Sequence, residues 1–536
     1  MNSFFVALLL LSLPQIHGYR YLFQVINIAY SHMSFGGRLA DLLVENGHKV
    51  DFVIRRYNTF VSGAAAKKAN VSVHTLANVE ELNQLTMRVP MYHDVFTESG
   101  DALTWEGMNV LNELLTKGCD ATLEDKGYMN LLRSKKYDAA FVEHVDSCGL
   151  FVANVLGIDK IMYFSVHGLA FPSRNDFSIP SPPGLVPVYN EVPPSGHLMS
   201  FFDRVVNLYN YLRYHILIPM KLRGFSGLKP RSLPPNSTSN ADLAAGVIYS
   251  FVNSLEFLNF PDFSTAQIKQ VGGIGMPKAG KIDAFLQPIF EKAKKGVVWL
   301  SFGSIVNTKQ MSPAIRGAFI SAFSRFKDYQ FLWQMENADD PEIKSIFEAI
   351  PNIHVAKWVN QPALLAHPKT KAMISHGGIT GLFEAINFGV PLISVPMFMD
   401  QKRTAALTKY HGIGVILDKY TLTADSISEA LEAVLENPSY KENILKKQAM
   451  MKDAPQRPEQ VFLDAVIYAT KYGDELKKVN IPPMSWVQYF CVDAALFVFA
   501  VFVTALWVTI FAARKLGTVV ACQLVANKKT KSEKIA

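Results

Sequence analysis

Hydrophobic and polar positions divide most of the chain into short apolar runs and longer stretches that are apolar on one side only. The runs have the length of buried parallel strands, and the stretches have the 3.6-residue period of amphipathic helices. The first unit of this kind predicts a strand, a loop, a helix and a second strand at 21–29, 31–34, 35–46 and 48–54. Such alternation is typical of α/β folds with parallel sheets.

The same pattern continues in two blocks separated by a stretch rich in proline and glycine. The first block predicts further strands at 137–144, 160–164 and 247–252, and we expect the last of these to end its sheet. The second block predicts strands at 297–304, 330–334, 353–357, 371–375 and 390–395. We therefore expect two doubly wound domains at 19–257 and 281–455, a linker at 258–280 and a terminal helical stretch at 456–485.

The two ends of the chain have the patterns of membrane-targeted segments. Residues 1–18 are predicted to be a signal peptide, because their apolar core is too short to span a membrane. Residues 494–513 carry no charge and would be ~30 Å long as a helix, so we predict a transmembrane segment at 486–513. The tail at 514–536 is basic, which places it in the cytosol and the folded part of the chain on the lumenal side.

Composition narrows the functional classes. The net charge of +7 is modest and the basic residues are spread along the chain, so binding to nucleic acid is not indicated. The four cysteines form no close pairs, which excludes a disulfide-rich scaffold and a zinc cluster. Cys119 and Cys148 are predicted to be free buried thiols, although folding could also bring them together. Asn70 and Asn236 begin N-glycosylation sequons.

The strongest local signal for chemistry follows the strand predicted at 371–375. That strand stops at His376-Gly377-Gly378, a helix opens at Thr380, and Gly389 stands where the helix should end. A helix that begins after glycines offers bare N–H groups and the positive end of its dipole, which suits a phosphate. A histidine beside this turn can donate one more hydrogen bond to the same anion.

Residues around this turn have the chemistry that a sugar nucleotide requires. Trp358 is a flat surface on which a base can stack, and the carboxylate of Glu384 can accept from ribose hydroxyls. Asp400-Gln401 follows the next predicted strand, where an acid beside an amide suits the hydroxyls of a sugar. At the carboxyl end of the first strand, where open α/β sheets bind their ligands, the chain has His32.

This segment resembles the signature of the animal membrane-bound UDP-glucuronosyltransferase/UDP-glucosyltransferase family, glycosyltransferase family 1. The matching residues are Trp358, Gln361, His367, Pro368, His376, Gly377, Gly378, Glu384, Gly389, Pro391, Pro396, Asp400 and Gln401. The resemblance extends over nearly the whole chain. It implies the GT-B fold, in which two Rossmann-like domains face each other, with one C-terminal transmembrane helix.

The resemblance also implies roles for individual residues. His32 would be the catalytic base and Glu143 its partner, although the family usually has aspartate at that position and Asp146 is an alternative. The UDP-sugar would contact Ser304, Trp358, Gln361, His376, Gly378, Thr380, Glu384, Asp400 and Gln401. The donor would be UDP-glucose or UDP-glucuronic acid, and the acceptor a small lipophilic molecule with a hydroxyl group. Neither a cofactor nor a metal ion is expected, and the chain contains no Asp-x-Asp motif.

The family also implies a biological setting and leaves alternatives open. It places such a protein in the endoplasmic reticulum membrane as a single-pass type I glycoprotein with lumenal catalytic domains, active in detoxification, and it leaves a homo- or hetero-oligomer open. Glu143 and Thr380 depart from the usual pattern. A catalytically weak member that serves as a binding or partner subunit in the membrane therefore remains the alternative. A glycosidase is not supported, because no pair of acids is placed for it.

Overall fold

The computed structural model describes residues 18–532 except 64–65, 90–91, 93–94, 97–104, 170–173, 175, 215–229, 307 and 481–484. The predicted signal peptide therefore lies outside the described residues, apart from Gly18. The chain divides into two units, residues 1–481 and 482–536. The first unit contains both of the sheets that follow.

The first sheet has seven strands, all parallel, in the order β3-β2-β1-β4-β5-β6-β7. Its strands are β1 (Arg20–Ile26), β2 (Lys49–Arg56), β3 (Asn70–Thr75), β4 (Ala139–Glu143), β5 (Ile161–Ser165), β6 (Ser250–Val252) and β7 (Ile268–Gln270). In its centre, Phe23 on β1 lies between Phe52 on β2 and Phe141 on β4. The rings of Phe23 and Phe141 stack with their centroids 4.2 Å apart, so one face of the middle of this sheet is packed with aromatic rings.

Helices alternate with these strands along the first half of the chain. They are α1 (Tyr30–Glu45), α2 (Val79–Met87), α3 (Trp105–Glu124), α4 (Lys126–Ser134), α5 (Cys148–Val155), α6 (Phe201–Leu212) and α7 (Asn240–Ala245). The sequence predicted a loop at 31–34 before the first helix, and this was wrong because α1 begins at Tyr30. No side chain caps α1, and Ala29 occupies the N-cap, so the usual start signal is absent. His32 consequently lies in the first turn of a helix.

The second sheet has six parallel strands in the order β10-β9-β8-β11-β12-β13. Its strands are β8 (Gly296–Ser301), β9 (Tyr329–Gln334), β10 (Ile353–Ala356), β11 (Thr370–Ser375), β12 (Leu392–Ser394) and β13 (Gly414–Ile416). Its helices are α8 (Leu286–Lys292), α9 (Pro313–Arg325), α10 (Pro341–Glu348), α11 (Gln361–Ala366), α12 (Ile379–Phe388), α13 (Gln401–Tyr410), α14 (Ala424–Glu436) and α15 (Pro438–Lys452). The prediction of two α/β units with parallel sheets is confirmed.

Two features of the first sheet differ from the predictions. The sheet does not end at 252, because β7 comes from the stretch predicted to be a linker. Cys119 on α3 and Cys148 at the start of α5 are not free thiols but form a disulfide, with their Cα atoms 5.4 Å apart. Since α5 follows directly after β4, this bond ties a surface helix to the end of a central strand.

The last helix of the first unit, α16 (Pro458–Lys477), returns to the first sheet. Phe462 and Val466 are buried in its core. The Tyr21 hydroxyl lies 3.2 Å from the Thr470 hydroxyl, and Lys160 Nζ donates to the Thr470 carbonyl at 2.6 Å. The chain therefore completes the core of its first half with residues from its end.

The second unit consists of a short helix, α17 (Trp486–Tyr489), and one long helix, α18 (Val492–Ser532). Within residues 492–525 of α18, an 18-residue stretch has a mean hydropathy of 2.5, and the segment is long enough to cross a membrane. The prediction of one C-terminal membrane-spanning helix agrees with this. The helix continues past residue 513, where the sequence predicted that it would end, through Arg514 and Lys515.

Candidate active site

A cleft of about 1320 Å³ opens at the carboxyl ends of the two sheets and is lined from both halves of the first unit. Open parallel sheets hold their ligands at this edge, where loops leave the strands. Apart from Glu143, all of the residues that the sequence assigned to catalysis or to the sugar nucleotide line it: His32, Ser304, Trp358, Gln361, His376, Gly378, Thr380, Glu384, Asp400 and Gln401.

Glu143 lies directly behind the cleft wall, where it contacts His32. His32 Nδ1 is 3.1 Å from Glu143 Oε1, and the other carboxylate oxygen accepts from the Val145 N–H at 3.0 Å. Glu143 is fully buried and His32 almost so. The two residues meet because β1, which precedes His32, pairs with β4, which ends at Glu143. A buried carboxylate at Nδ1 fixes the orientation of the imidazole, so that Nε2 points away from Glu143.

Asp146, the alternative partner for His32, has a different role. Its carboxylate forms an ion pair with Arg55 at the end of β2, and both side chains are buried. It also accepts from the Cys148 N–H at 3.3 Å, where α5 begins. Asp146 is therefore a structural residue, and the additional methylene of Glu143 does not prevent its contact with His32.

The opposite wall of the cleft is built around the ring of His376, which follows β11. A Cβ atom added to Gly303 would lie 2.6 Å from His376 Cε1, and one added to Gly378 would lie 2.6 Å from its Nε2. Both glycines are thus required by the close packing of the ring. Burial lowers the pKa of His376 to about 4, against the opposing charge of Asp400, so the ring is neutral at physiological pH.

The start of α12 completes this wall and gives it groups that suit a phosphate. Gly378 is its N-cap, and Gly389 ends the helix in the left-handed conformation, as the sequence predicted. Thr380 Oγ1 is buried and has no hydrogen-bond partner within the described part of the chain. Ser304 lies in the turn after β8, beside Gly303. The first-turn N–H groups and these hydroxyls can together bind an anion.

Further along the cleft, two polar side chains form a connected pair. Gln361 Nε2 donates to Glu384 Oε2 at 2.5 Å, and Gln361 Oε1 accepts from Trp299 Nε1 at 2.9 Å. Burial raises the pKa of Glu384, and both Gln361 and the charge of Arg38 oppose this rise. Trp358, beside them, is 71% exposed and presents an open face to the cleft. Arg38, from α1, was not singled out in the sequence.

At the other end of the cleft, Asp400 and Gln401 begin α13. Gln401 Oε1 accepts from the N–H groups of Met397 and Phe398 at 2.9 and 3.2 Å, so its NH₂ group is the end it can offer to a sugar. Asp400 Oδ2 lies 3.1 Å from His167 Nδ1, across the cleft. Burial would raise the pKa of Asp400, but the charge of His167 and its hydrogen bond lower it.

His167 was missed because it belongs to no motif. It follows β5, just as His32 follows β1, so its position at the carboxyl edge of the sheet was the available signal.

Next to these histidines the first half of the chain supplies an apolar lining. Its members are Ile28, Tyr92, Leu111, Leu114, Val145 and Val166. The transfer of a lipophilic molecule from water to this surface would be favourable.

A model of the family described as UDP-glucoronosyl and UDP-glucosyl transferase matches residues 22–531. The chain belongs to this UDP-glycosyltransferase family. The chain is 25% identical over 451 residues to the putative UDP-glucuronosyltransferase ugt-47 of Caenorhabditis elegans, covering 83% of this chain and 82% of that protein. It is 27% identical over 503 residues to UDP-glucuronosyltransferase 1A7 of Rattus norvegicus, covering 90% and 89%. The resemblance inferred from the signature segment is confirmed.

Solved glycosyltransferase structures agree with the architecture of this UDP-glycosyltransferase. Os79 from O. sativa, in complex with U2F and trichothecene, matches with a TM-score of 0.57 at 16% identity and covers 84% of this chain and 100% of its own. A UDP-glucosyltransferase from Polygonum tinctorium, capable of glucosylating indoxyl, matches with a TM-score of 0.56 at 14% identity, covering 85% and 99%. The GT-B fold predicted from the sequence is confirmed, and the chain is a glycosyltransferase whose C-terminal helix is a candidate membrane anchor.

Proposed function

We propose that this enzyme transfers glucose or glucuronic acid from a UDP-sugar to the hydroxyl group of a small lipophilic acceptor, with inversion at the anomeric carbon. The observation that carries the proposal is the contact between His32 Nδ1 and the buried Glu143 carboxylate, in a cleft whose opposite wall suits a diphosphate. The apolar lining near His32 supports a lipophilic acceptor.

In the proposed reaction, His32 donates its Nδ1–H to Glu143, which leaves the lone pair on Nε2 to accept a proton. The acceptor hydroxyl gives its proton to Nε2 as its oxygen attacks the anomeric carbon. The bond from that carbon to the diphosphate oxygen breaks on the opposite side, and UDP leaves with the bonding electrons. Glu143 stabilises the imidazolium and holds its orientation, as a buried acid does in a catalytic triad.

On the donor side, each predicted residue has a place in this proposal. The diphosphate would contact Ser304, His376, Gly378 and Thr380; the uracil Trp358; the ribose Gln361 and Glu384; and the sugar Asp400 and Gln401. The helix start and the neutral His376 would stabilise the negative charge that develops on UDP. Since these groups supply the positive potential, the proposed reaction uses neither a metal ion nor a cofactor.

We also propose that the catalytic part lies in the lumen of the endoplasmic reticulum, with a signal peptide removed and the basic tail in the cytosol. The Cys119–Cys148 disulfide supports this, because such bonds persist in oxidising compartments. Asn70 and Asn236 are both exposed, as acceptors of glycans must be, although Asn70 Nδ2 also donates to Asp51 Oδ1 at 2.7 Å. A role in detoxification of lipophilic compounds would follow from this setting.

The test is turnover of a panel of lipophilic phenols in microsomes, with UDP-glucose and UDP-glucuronic acid offered separately. We expect transfer from at least one donor in the wild type and its loss in His32→Ala, with UDP binding retained. His354→Ala is the matched control, because His354 hydrogen-bonds Gln330 away from the cleft and should leave turnover unchanged. No transfer from either donor while UDP still binds would favour the binding or partner subunit.

A further inference from the structure

His167 lies where the two halves of the cleft meet, beside the proposed base. Its ring is 5.0 Å from the ring of His32, centroid to centroid, with the two planes at 76°. Its position is rigidly defined: its carbonyl accepts from the Asn253 N–H at 3.2 Å, and the N–H of the next residue, Gly168, donates to the Tyr189 hydroxyl at 2.8 Å. The proposed reaction gives this side chain no role.

The contacts of His167 stabilise its cation. Nδ1 faces the Asp400 carboxylate at 3.1 Å, and the pair spans the two halves of the cleft. Burial lowers the pKa of His167, but Asp400, and more weakly Glu143, outweigh this and raise it. An imidazolium has two N–H donors, so the contact with Asp400 leaves Nε2–H to offer to a second acceptor.

The Lys and Arg side chains that line the cleft in the described part of the chain are Arg38, Lys67, Lys68 and Lys278. Arg403, three residues past Asp400, lies 5.0 Å over the ring of Tyr189 and is not part of this lining. Arg38 faces Glu384, at the proposed ribose site. Lys68 is paired with Glu45, which stands ~20 Å along α1 from His32.

The remaining two basic residues also belong to the nucleotide end. The Lys67 N–H donates to Asp41, three residues past Arg38 on α1. Lys278 closely follows Gly275, which packs on the Arg38 stem. At the sugar end, Asp400 is the carboxylate that a donor sugar would meet, and its charge would repel an anionic sugar unless a cation balanced it.

We propose that His167 determines which donor sugar the enzyme accepts: its imidazolium neutralises Asp400 through Nδ1 and donates Nε2–H to the carboxylate of a uronic acid. The enzyme therefore prefers UDP-glucuronic acid to UDP-glucose. This inference rests on the proposed function, because it concerns the sugar of the same donor site. A neutral hydroxymethyl group gains less from the same donor, since charge-assisted hydrogen bonds are the stronger ones.

The test compares kcat/KM for the two donors, with one phenol as acceptor, in the wild type and in His167→Asn. Asparagine keeps an N–H donor for Asp400 but carries no charge. We expect kcat/KM for UDP-glucuronic acid to fall roughly 10- to 100-fold, the effect of one charge-assisted hydrogen bond, and kcat/KM for UDP-glucose to change by less than about 3-fold. His197→Asn is the control, because its ring packs on Phe260 and Tyr410 outside the cleft and should leave the ratio unchanged.

The pH dependence of the donor preference shows whether His167 acts through its charge or only supports the fold. In the wild type the preference for UDP-glucuronic acid should weaken as the pH rises and His167 loses its proton, whereas His167→Asn should show no such trend. Of the other ionisable groups that face this ring, His32 and Glu143 are the proposed base and its partner and act on transfer from both donors alike. Asp400 has a lowered pKa, so it stays ionised as the pH rises and adds no trend of its own to the ratio.

The outcomes distinguish the proposed role of His167 from the proposed glycosyl transfer. Transfer with an equal loss for both donors in His167→Asn, or a wild type that uses UDP-glucose alone, would overturn the role of His167 while leaving glycosyl transfer established. If neither donor supports transfer, displacement of bound UDP by each UDP-sugar decides the matter. We then still expect His167→Asn to weaken UDP-glucuronic acid selectively, and equal displacement would refute it.

Discussion

The two walls of the cleft use different groups for different tasks: one relies on side chains and the other on the main chain. The wall that holds the base uses side chains: His32 is held by Glu143, and both are buried. The facing wall uses the main chain: glycines fit around His376, and the N–H groups at the start of α12 point into the cleft. A base must be directed at one atom, which a charged pair achieves, whereas a diphosphate spreads its charge and is better met by several fixed dipoles.

The largest expected effect tests the side-chain wall. Glu143→Gln keeps the shape of the residue but removes the charge that stabilises the imidazolium of His32. We expect kcat to fall roughly 10²- to 10⁴-fold with the KM for the UDP-sugar nearly unchanged, as measured by steady-state kinetics. Glu113→Gln, in a surface pair with Lys117, serves as the control. An equal fall in UDP affinity would show that the two walls are not separate.

A smaller effect is expected from the main-chain wall. In Gly378→Ala the new Cβ would lie 2.6 Å from His376 Nε2, so the ring or the start of α12 must move. We expect UDP affinity, measured by calorimetry, to fall about 10-fold, which is ~1.4 kcal/mol. Gly317→Ala on α9 is the control, since a Cβ there meets nothing within 4 Å. Unchanged UDP affinity in Gly378→Ala would contradict a main-chain phosphate site.

The smallest effect concerns the pair that joins the walls. Because the folded protein raises the pKa of His167, that residue contributes stability below its ordinary pKa and loses it as the pH rises through the raised value. Because the pKa of Asp400 is lowered, its contribution is lost as the pH falls through that lower value. Between the lowered pKa of Asp400 and the raised pKa of His167, the pair should add on the order of 1 kcal/mol to the free energy of unfolding.

The measurement for this pair is the difference in melting temperature between the wild type and His167→Asn across pH. We expect a difference that is greatest near neutral pH and shrinks in alkaline buffer. A difference that grows as the pH rises would mean that His167 is held neutral, which the charge of Asp400 argues against.

Elements that local interactions specify were predictable from the sequence, and elements that distant contacts specify were not. The 376–389 turn and helix were predictable because glycines and an apolar stripe specify them locally. The start of α1 was not, because Ala29 occupies its N-cap and no side chain marks the start, so 31–34 was predicted to be a loop. This part of α1 packs closely on a distant strand, since a Cβ on Gly36 would come 2.7 Å from the ring of Phe164. Such packing against a distant strand leaves no local mark.

Two other differences have the same origin. The three residues of β7 make an edge strand too short to produce an apolar run. The Cys119–Cys148 bond joins positions 29 residues apart, and spacing alone does not specify such a pair. The roles assigned to the cleft residues came from resemblance. The structure gathers all of them around one cleft, and their functions remain predictions until variants are measured.

The return of α16 to the first sheet has a mechanical consequence. The polypeptide passes between the two halves twice, once after β7 and again before Pro458, so the halves are joined at two points. Bodies joined at two points swing about the line between those points and resist sliding past each other. We therefore expect any opening of the cleft to occur as a hinge motion about this line. A shortened chain that ended before α16 would lose this constraint and uncover the surface on which Phe462 rests.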